Sequence, residues 1–478
     1  MRGAGAVTAG DDGATDAVIG TVARLVGSSL VRTDRRSVPA RYRMLDTVRE
    51  YAAERLRGGG EEDETRTRQL DYFVSLGRRV CRDEFFGPPV PEIMAALDGE
   101  HDTVRDTLER LLVARDGERA ARLAGAMGTY WFERGHWGEG QRWLTRALQL
   151  TAGSRSLDRA RALTALAQTT ASFSGIATRT EELEEAVAIY RKEHNDGYLG
   201  AALMYLALAR AWRREVPLMR TAFAEVKRIA ASLKSQWIDT TIAVYDSLAR
   251  VLEGDLDAAH AGLVDGAAAL VDLGDESLAA RALMYAGNVS RLIGDLPAAR
   301  HELDQSMELA RTHAIHGTHA HGMVALAQVA MDLGDADAES LFIDCLGALE
   351  LIGDARCTAV CQRSLGSLAL DKDHPDEALN WLQQSLQQLA THDQRALALA
   401  IADIATIRAH RGDAAAATRL AAAARSLAQQ PGMPLTMTEQ SRIDDAAAYA
   451  NLHTSSATAP MSNGTGNLEA ILELARQP

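Results

Sequence analysis

The sequence predicts an all-α protein, a superhelical solenoid of stacked helical hairpins preceded by a small unit in which two helices flank a strand pair. Three observations carry this. Nearly half of the 478 residues are apolar while only 5% are aromatic, and alanine supplies much of the apolar share, a composition suited to closely packed helices. Chain-reversal signals recur at Gly135-His136, Gly175, Arg214-Glu215, Gly254-Asp255, Gly294-Asp295, Gly334-Asp335, Asp373-His374 and Gly412-Asp413, at intervals of 39 or 40 residues. The later signals also share a pattern, as in Gly254-Asp-Leu-Asp-Ala-Ala259, Gly294-Asp-Leu-Pro-Ala-Ala299 and Gly412-Asp-Ala-Ala-Ala-Ala417. A single hairpin cannot bury its apolar face, whereas a stack of them buries a continuous one.

The elements follow in order. Residues 1–13 are small, polar and glycine-rich and predict a disordered lead. Within residues 14–60, Val18, Val22, Leu25 and Val26 fall at helical spacing behind Asp16, predicting a helix over Thr15 to Val26. Strands are expected at Ser28 to Arg32 and Arg41 to Leu45 around a basic turn, then a helix from Asp46 to Leu56 that Gly58-Gly59-Gly60 ends. Residues 61–117 predict connector helices at Glu61 to Leu76 and Ile93 to Arg115, interrupted at Gly87-Pro88-Pro89. Residues 118–430 hold the repeats: glycine closes one helix, the acid beside it suits the positive end of the next, and Pro297 and Pro375 occupy first-turn positions. Residues 431–478 predict a cap, a mobile Ser/Thr/Ala/Gly-rich loop from His453 to Gly466, and a last helix at Leu468 to Arg476.

Composition narrows the function. The formal charge is -14; residues 1–60 carry ten Lys or Arg against seven Asp or Glu, so that head is +3 and the remainder -17. The bulk of the chain repels nucleic acid. Four cysteines make no disulfide framework, no stretch approaches 18 uninterrupted apolar residues, and no secretory leader pattern opens the chain, so a cytoplasmic protein that does not span a membrane is expected. No nucleophile, base and orienting group assemble in the sequence, which predicts a binding protein without catalytic, metal or cofactor residues.

Three passages carry a resemblance: Leu25 to Val31 with Arg41 to Leu56, then Leu97-Asp98-Gly99-Glu100-His101-Asp102-Thr103-Val104-Arg105, then Tyr130-Trp131-Phe132-Glu133-Arg134-Gly135 with Glu139 to Leu144. Together they resemble the C-terminal part of the signal-transducing ATPases with numerous domains among actinobacterial LuxR-family transcription regulators. The resemblance implies a winged helix leaning on an upstream nucleotide-binding domain, and a tetratricopeptide-like sensor that receives a protein, a peptide or a small-molecule effector. The winged helix here lacks its leading helices and reads as a remnant. A phosphate-cradling loop needs Gly-Lys-Ser or Gly-Lys-Thr, and none of the four lysines, Lys192, Lys227, Lys234 and Lys372, follows a glycine. ATP hydrolysis by that loop is not expected. Leu435-Thr436-Met437-Thr438-Glu439-Gln440 is similar to the start of a LuxR-type DNA-reading motif, but no basic recognition helix follows it.

Counting back from the turn markers, the sixth position holds Asn288, Gln328, Ser367 and Thr406, the thirteenth Arg281 and His321, and the third Arg291. In tetratricopeptide-like hairpins such first-helix positions resemble those lining the concave groove, where they would receive a peptide's backbone or carboxylates. The plain alternative for each is a solvated helix face. The cluster His313, His316, His319 and His321 reads as solvated loop and helix-start histidines, since no carboxylate or cysteine nearby in sequence completes a tetrahedral set. Cys357 and Cys361 read as small core residues. Tyr205, Tyr245 and Tyr285 form a 40-residue ladder that reads as packing between repeats, and Trp131, Trp137 and Trp143 are expected to anchor the first hairpin on the connector helices. The leading function is a non-enzymatic sensor or protein-interaction module. The alternative is DNA binding through Arg32, Arg35, Arg36, Arg41 and Arg43 of the wing.

Overall fold

A computed structural model describes residues 6–8, 15–34, 41–83, 86–170, 175–213, 215–231, 235–429, 434–452 and 468–477. The N-terminal unit runs α1 (Thr15–Gly27), β1 (Val31–Asp34), β2 (Arg41–Met44) and α2 (Asp46–Gly58). β1 and β2 pair antiparallel with Arg32 opposite Arg43. α2 buries none of its residues, and Tyr51 is 62% exposed. The connector is α3 (Glu62–Arg78), β3 (Cys81–Asp83), β4 (Phe86–Pro89) and α4 (Pro91–Val113). Gly87-Pro88-Pro89 does more than interrupt two helices, because it supplies the second strand of a short hairpin in which Cys81 faces Pro89. Most of the lead and the segment 453–467 lie outside the described residues.

The repeats form a tetratricopeptide-like solenoid. Its first helices are α5 (Gly117–Arg134), α7 (Leu157–Thr169), α9 (Asp196–Trp212), α11 (Gln236–Glu253), α13 (Glu276–Ile293), α15 (His316–Leu333), α17 (Ala355–Asp371) and α19 (Gln394–His410). Their partners are α6 (Trp137–Leu150), α8 (Thr180–Lys192), α10 (Val216–Ala230), α12 (Leu256–Asp272), α14 (Leu296–Thr312), α16 (Ala338–Ile352), α18 (Pro375–His392) and α20 (Ala414–Ala428). Two helices close the array, α21 (Met437–Leu452) against α19 and α20, and α22 (Leu468–Arg476).

The turns work as their residues dictate. Gly135, Gly254, Gly294, Gly334 and Gly412 take positive φ, and Asp255, Asp295 and Asp413 each accept the N–H three residues on, capping the following helix. The marker at Gly175 is different: it opens a short 3-10 helix, Gly175–Arg179, before α8. A second set of aspartates, Asp275, Asp354 and Asp393, caps the first helices on the other side of each hairpin. Within a hairpin the backbones come close; a Cβ on Gly287 would stand 2.7 Å from Leu303 Cγ and 3.1 Å from the Ala299 carbonyl.

The superhelix also closes on itself. Glu133 of α5 takes the Ser277 hydroxyl and the Arg281 guanidinium of α13, about 144 residues on. Trp137 lies edge-on to His321 with ring centroids 5.0 Å apart, and a Cβ on Gly317 would sit 2.3 Å from the Trp137 ring. Trp137 therefore locks a superhelical turn and does not rest on the connector. Trp143 does reach the connector's network, donating to Glu139, which also holds His101 and Arg105 of α4. Inside the turn, the β3–β4 hairpin rests against α11 and α13. Tyr205, Tyr245 and Tyr285 join the main hydrophobic core, with their hydroxyl pKa values pushed up by burial.

Candidate functional site in the concave groove

One periodic stripe of the first helices faces the inside of the superhelix. Counted back from each turn marker it holds positions three, six, ten, thirteen and seventeen, the alternating three-and-four spacing of a single helix face. A cavity of about 300 Å³ opens along this stripe in the C-terminal half. It crosses the array obliquely. α13 contributes Asn288 and Arg291, α15 His321, Val324 and Gln328, α17 Arg356, Val360 and Arg363, and α19 Arg395 and Leu399.

Four of the seven groove residues expected from the sequence thus come together: Asn288, Arg291, His321 and Gln328. Asn288 is tied by its amide to the Met284 carbonyl at 2.8 Å. Arg291 is 6% exposed and pairs with Asp332 at 2.6 Å. His321 is buried, with Nε2 2.8 Å from Asp354 Oδ2, so it departs from the solvated reading that suits exposed His313 and His316. The other three lie elsewhere. Arg281 stacks over Phe132 at 4.8 Å and pairs with Glu133 at 3.4 Å. Ser367 is fully buried and donates to Asp403, and Thr406 bonds its own helix at the Ala402 carbonyl.

The groove's other charges come from Arg356, Arg363, Asp393, Arg395 and, from outside the repeats, Glu439. Glu439 opens α21, accepts the Thr436 N–H in a reciprocal capping box, and pairs with Arg291 at 3.3 Å and with Arg395. Burial alone would raise its pKa; Arg395, Arg291, the Thr436 N–H and Arg363 together drive it below the usual carboxylate range. The helix that begins like a DNA-reading motif therefore buries Ile443, Ala446, Ala447 and Ala450 and sends its acid into the groove.

His321, Asp354 and Cys357 bring potential metal-ligand atoms within 4.8 Å of one another, a grouping the sequence hid because two residues come from the next hairpin. The trio is already engaged. Asp354 bonds His321 and the Cys357 N–H, while Arg356 Nη2 lies 3.1 Å from Cys357 Sγ. Burial pushes the thiol up, away from the thiolate a metal requires, and a cation would stand beside a guanidinium.

At the other end of the chain, Arg32 and Arg43 are exposed on one face of the β1–β2 pair. Arg35 and Arg36 lie outside the described residues, and Arg41 is placed by its backbone alone. An apolar hollow beside them is lined by Leu25, Leu30, Met44, Val48, Tyr51 and Leu56.

No protein-family profile matches the chain. It is 25% identical over 437 residues to proteins bearing the name "Putative HTH-type transcriptional regulator" in Mycobacterium bovis and in two strains of Mycobacterium tuberculosis, an alignment covering 86% of this chain and 48% of each relative. The chain spans about half the length of the curated relatives it matches. Among solved structures it is similar to a signal-transduction ATPase with numerous domains from Pyrococcus horikoshii that has a tetratricopeptide repeat sensor, with TM-score 0.43 and 12% identity over 95% of this chain and 60% of that one. It is also similar to yeast Tom70, with TM-score 0.35 and 12% identity over 85% of this chain and 96% of that one. Among the described residues no helix is long and apolar enough to cross a membrane.

A sequence signal for the missed arginines existed. Arg356 and Arg395 share the seventeenth position before their markers and Arg363 the tenth, so extending the three-and-four spacing through the positions already chosen reaches all three. Glu439 had no such signal, because no repeat position predicts it.

Proposed function

We propose that the chain is the non-enzymatic sensor and protein-interaction module of a transcription regulator in the manner of the signal-transducing ATPases with numerous domains, working in the cytoplasm. The observation that carries this is the arginine-lined concave cavity, built by one helix face from four successive hairpins. Polar and basic side chains on such a face suit a peptide or an effector that lies along the superhelix. The regulator context draws its support from the names of the relatives. The uncovered apolar hollow on α1, β2 and α2 is the surface we assign to a nucleotide-binding domain.

The test places a photocrosslinking residue at Gln328 in the groove and, as control, at Leu351, an exposed residue of α16. Cross-linking in the source cell to one defined partner from Gln328 alone supports the reading; equal labelling from both positions refutes it.

A second reading, DNA binding, has one observation in its favour: two exposed arginines face the same side of the β1–β2 pair. A mobility shift by the full chain that weakens as salt rises and disappears in Arg32→Ala/Arg43→Ala would establish it.

A further inference from the structure

One of the groove's four arginines makes no direct ion pair among the described residues. The lining carries Arg291, Arg356, Arg363 and Arg395 against Asp393 and Glu439, in a chain whose formal charge is -14. Arg356 is matched by Asp393 at 2.7 Å, Arg291 by Asp332 at 2.6 Å, and Arg395 by Glu439, which Arg291 also reaches. Arg363 is the one without a direct ion pair, and Glu439 and Asp403 act on it only through space. It is 3% exposed, its guanidinium reaches the hydroxyls of Ser364 at 2.7 Å and Ser367 at 3.5 Å, and its Nε has no hydrogen-bond partner. Among the described residues its partners are the two serine hydroxyls, and Ser367 in turn donates to Asp403.

A buried cation without an ion pair is costly, and proteins retain such a group where it meets a ligand. The three neighbouring arginines already show which anion suits this wall, since each holds a carboxylate. Beside polar residues such as Asn288 and Gln328, the lining includes an apolar set, Val324, Val360, Leu399, Leu427 and Leu435. A fully hydrated dianion would be stripped of water against those side chains, whereas an apolar chain would cover them.

We infer that the cavity binds a small monocarboxylate with an apolar body, its carboxylate received by the Arg363 fork and its body lying against Val360, Leu399 and Leu435. The inference rests on reading the concave face as the receiving surface, and it names the effector class for that face.

Octanoate is the probe, titrated into the full chain by calorimetry and by melting. Expected are saturable binding and a rise in the melting midpoint, with no such response to 1-octanol or to inorganic phosphate, each of which carries half of the chemistry. Arg363→Met should lose at least tenfold in octanoate affinity while keeping the helical circular dichroism of the wild type, and Arg363→Lys should keep weaker binding. Absence of binding to the wild type, or equal binding by Arg363→Met, overturns the proposal. Lost crosslinks from Gln328 with intact octanoate binding would refute the partner-binding reading alone, and the reverse would refute this one alone.

Discussion

Glu439 sits 148 residues from Arg291 in sequence and within hydrogen-bond reach of it in space. Removing one member of a buried charge cluster leaves the others uncompensated, a loss of about 3–5 kcal/mol. Glu439→Gln, which keeps the shape, should therefore lower the urea midpoint and speed amide exchange mainly in α21; unchanged exchange there would show that α21 is held by its apolar face alone. His136 gives a pH signature. Burial, with the His101 ring 4.5 Å away, lowers its pKa to about 4, against 6.5 for the unhindered imidazole. The unfolded chain thus takes up this proton first as pH falls, so stability is fully present above about 6.5 and is lost toward 4. With one pKa unit near 1.4 kcal/mol and partial exposure discounting the shift, the loss is about 1–2 kcal/mol. Urea midpoints at pH 7.5 and pH 5 should differ more for the wild type than for His136→Asn. Periodicity alone did not suffice at this scale: the repeat numbers Asn288, Arg291, His321 and Gln328, which line the cavity, and equally Arg281, Ser367 and Thr406, which do not, while Glu439 enters from outside the repeat.

Helices and turns were the most readable level, for a local reason. A glycine at positive φ followed by a capping aspartate needs no tertiary context, so Gly254-Asp255, Gly294-Asp295 and Gly412-Asp413 end and start helices where the sequence says they do. Asp295→Ala should cost about 1 kcal/mol, read as a lower urea midpoint, while Asp295→Asn should be nearly silent. An equal loss in both would assign the effect to charge and not to the cap. Elements that depend on distant partners were unreadable. Strands of three and four residues at Cys81–Asp83 and Phe86–Pro89 are too short to announce themselves and rest on α11 and α13, which lie far along the chain. The 3-10 helix at Gly175–Arg179 likewise packs on α7, α8 and α9, so its glycine was read as one more turn.

At the scale of the molecule, closure changes how the array should unfold. In an open solenoid each repeat touches only its neighbours, and stability adds along a line, so ends fray independently of the middle. Here Glu133 meets Ser277 and Arg281, Trp137 meets His321, and Gly138 faces Gly353 backbone to backbone, with 3.4 Å between a Cβ placed on Gly138 and Gly353 Cα. These contacts join the first hairpin to the fifth and sixth and bypass the repeats between. Loss of either party therefore removes support from the other, which couples the two halves. Gly317→Val is the direct cut, because its Cβ alone would stand 2.3 Å from the Trp137 ring while the other repeat interfaces stay as they are. The wild type should show one urea transition by both tryptophan fluorescence and circular dichroism. Gly317→Val should show two, the fluorescence of the tryptophan-rich first hairpin changing at lower urea than the helical signal, together with a larger radius of gyration by small-angle scattering. Coincident transitions in the variant would mean that the closing contacts bear no load, and that the curvature of the groove is set by the hairpin-to-hairpin interfaces alone.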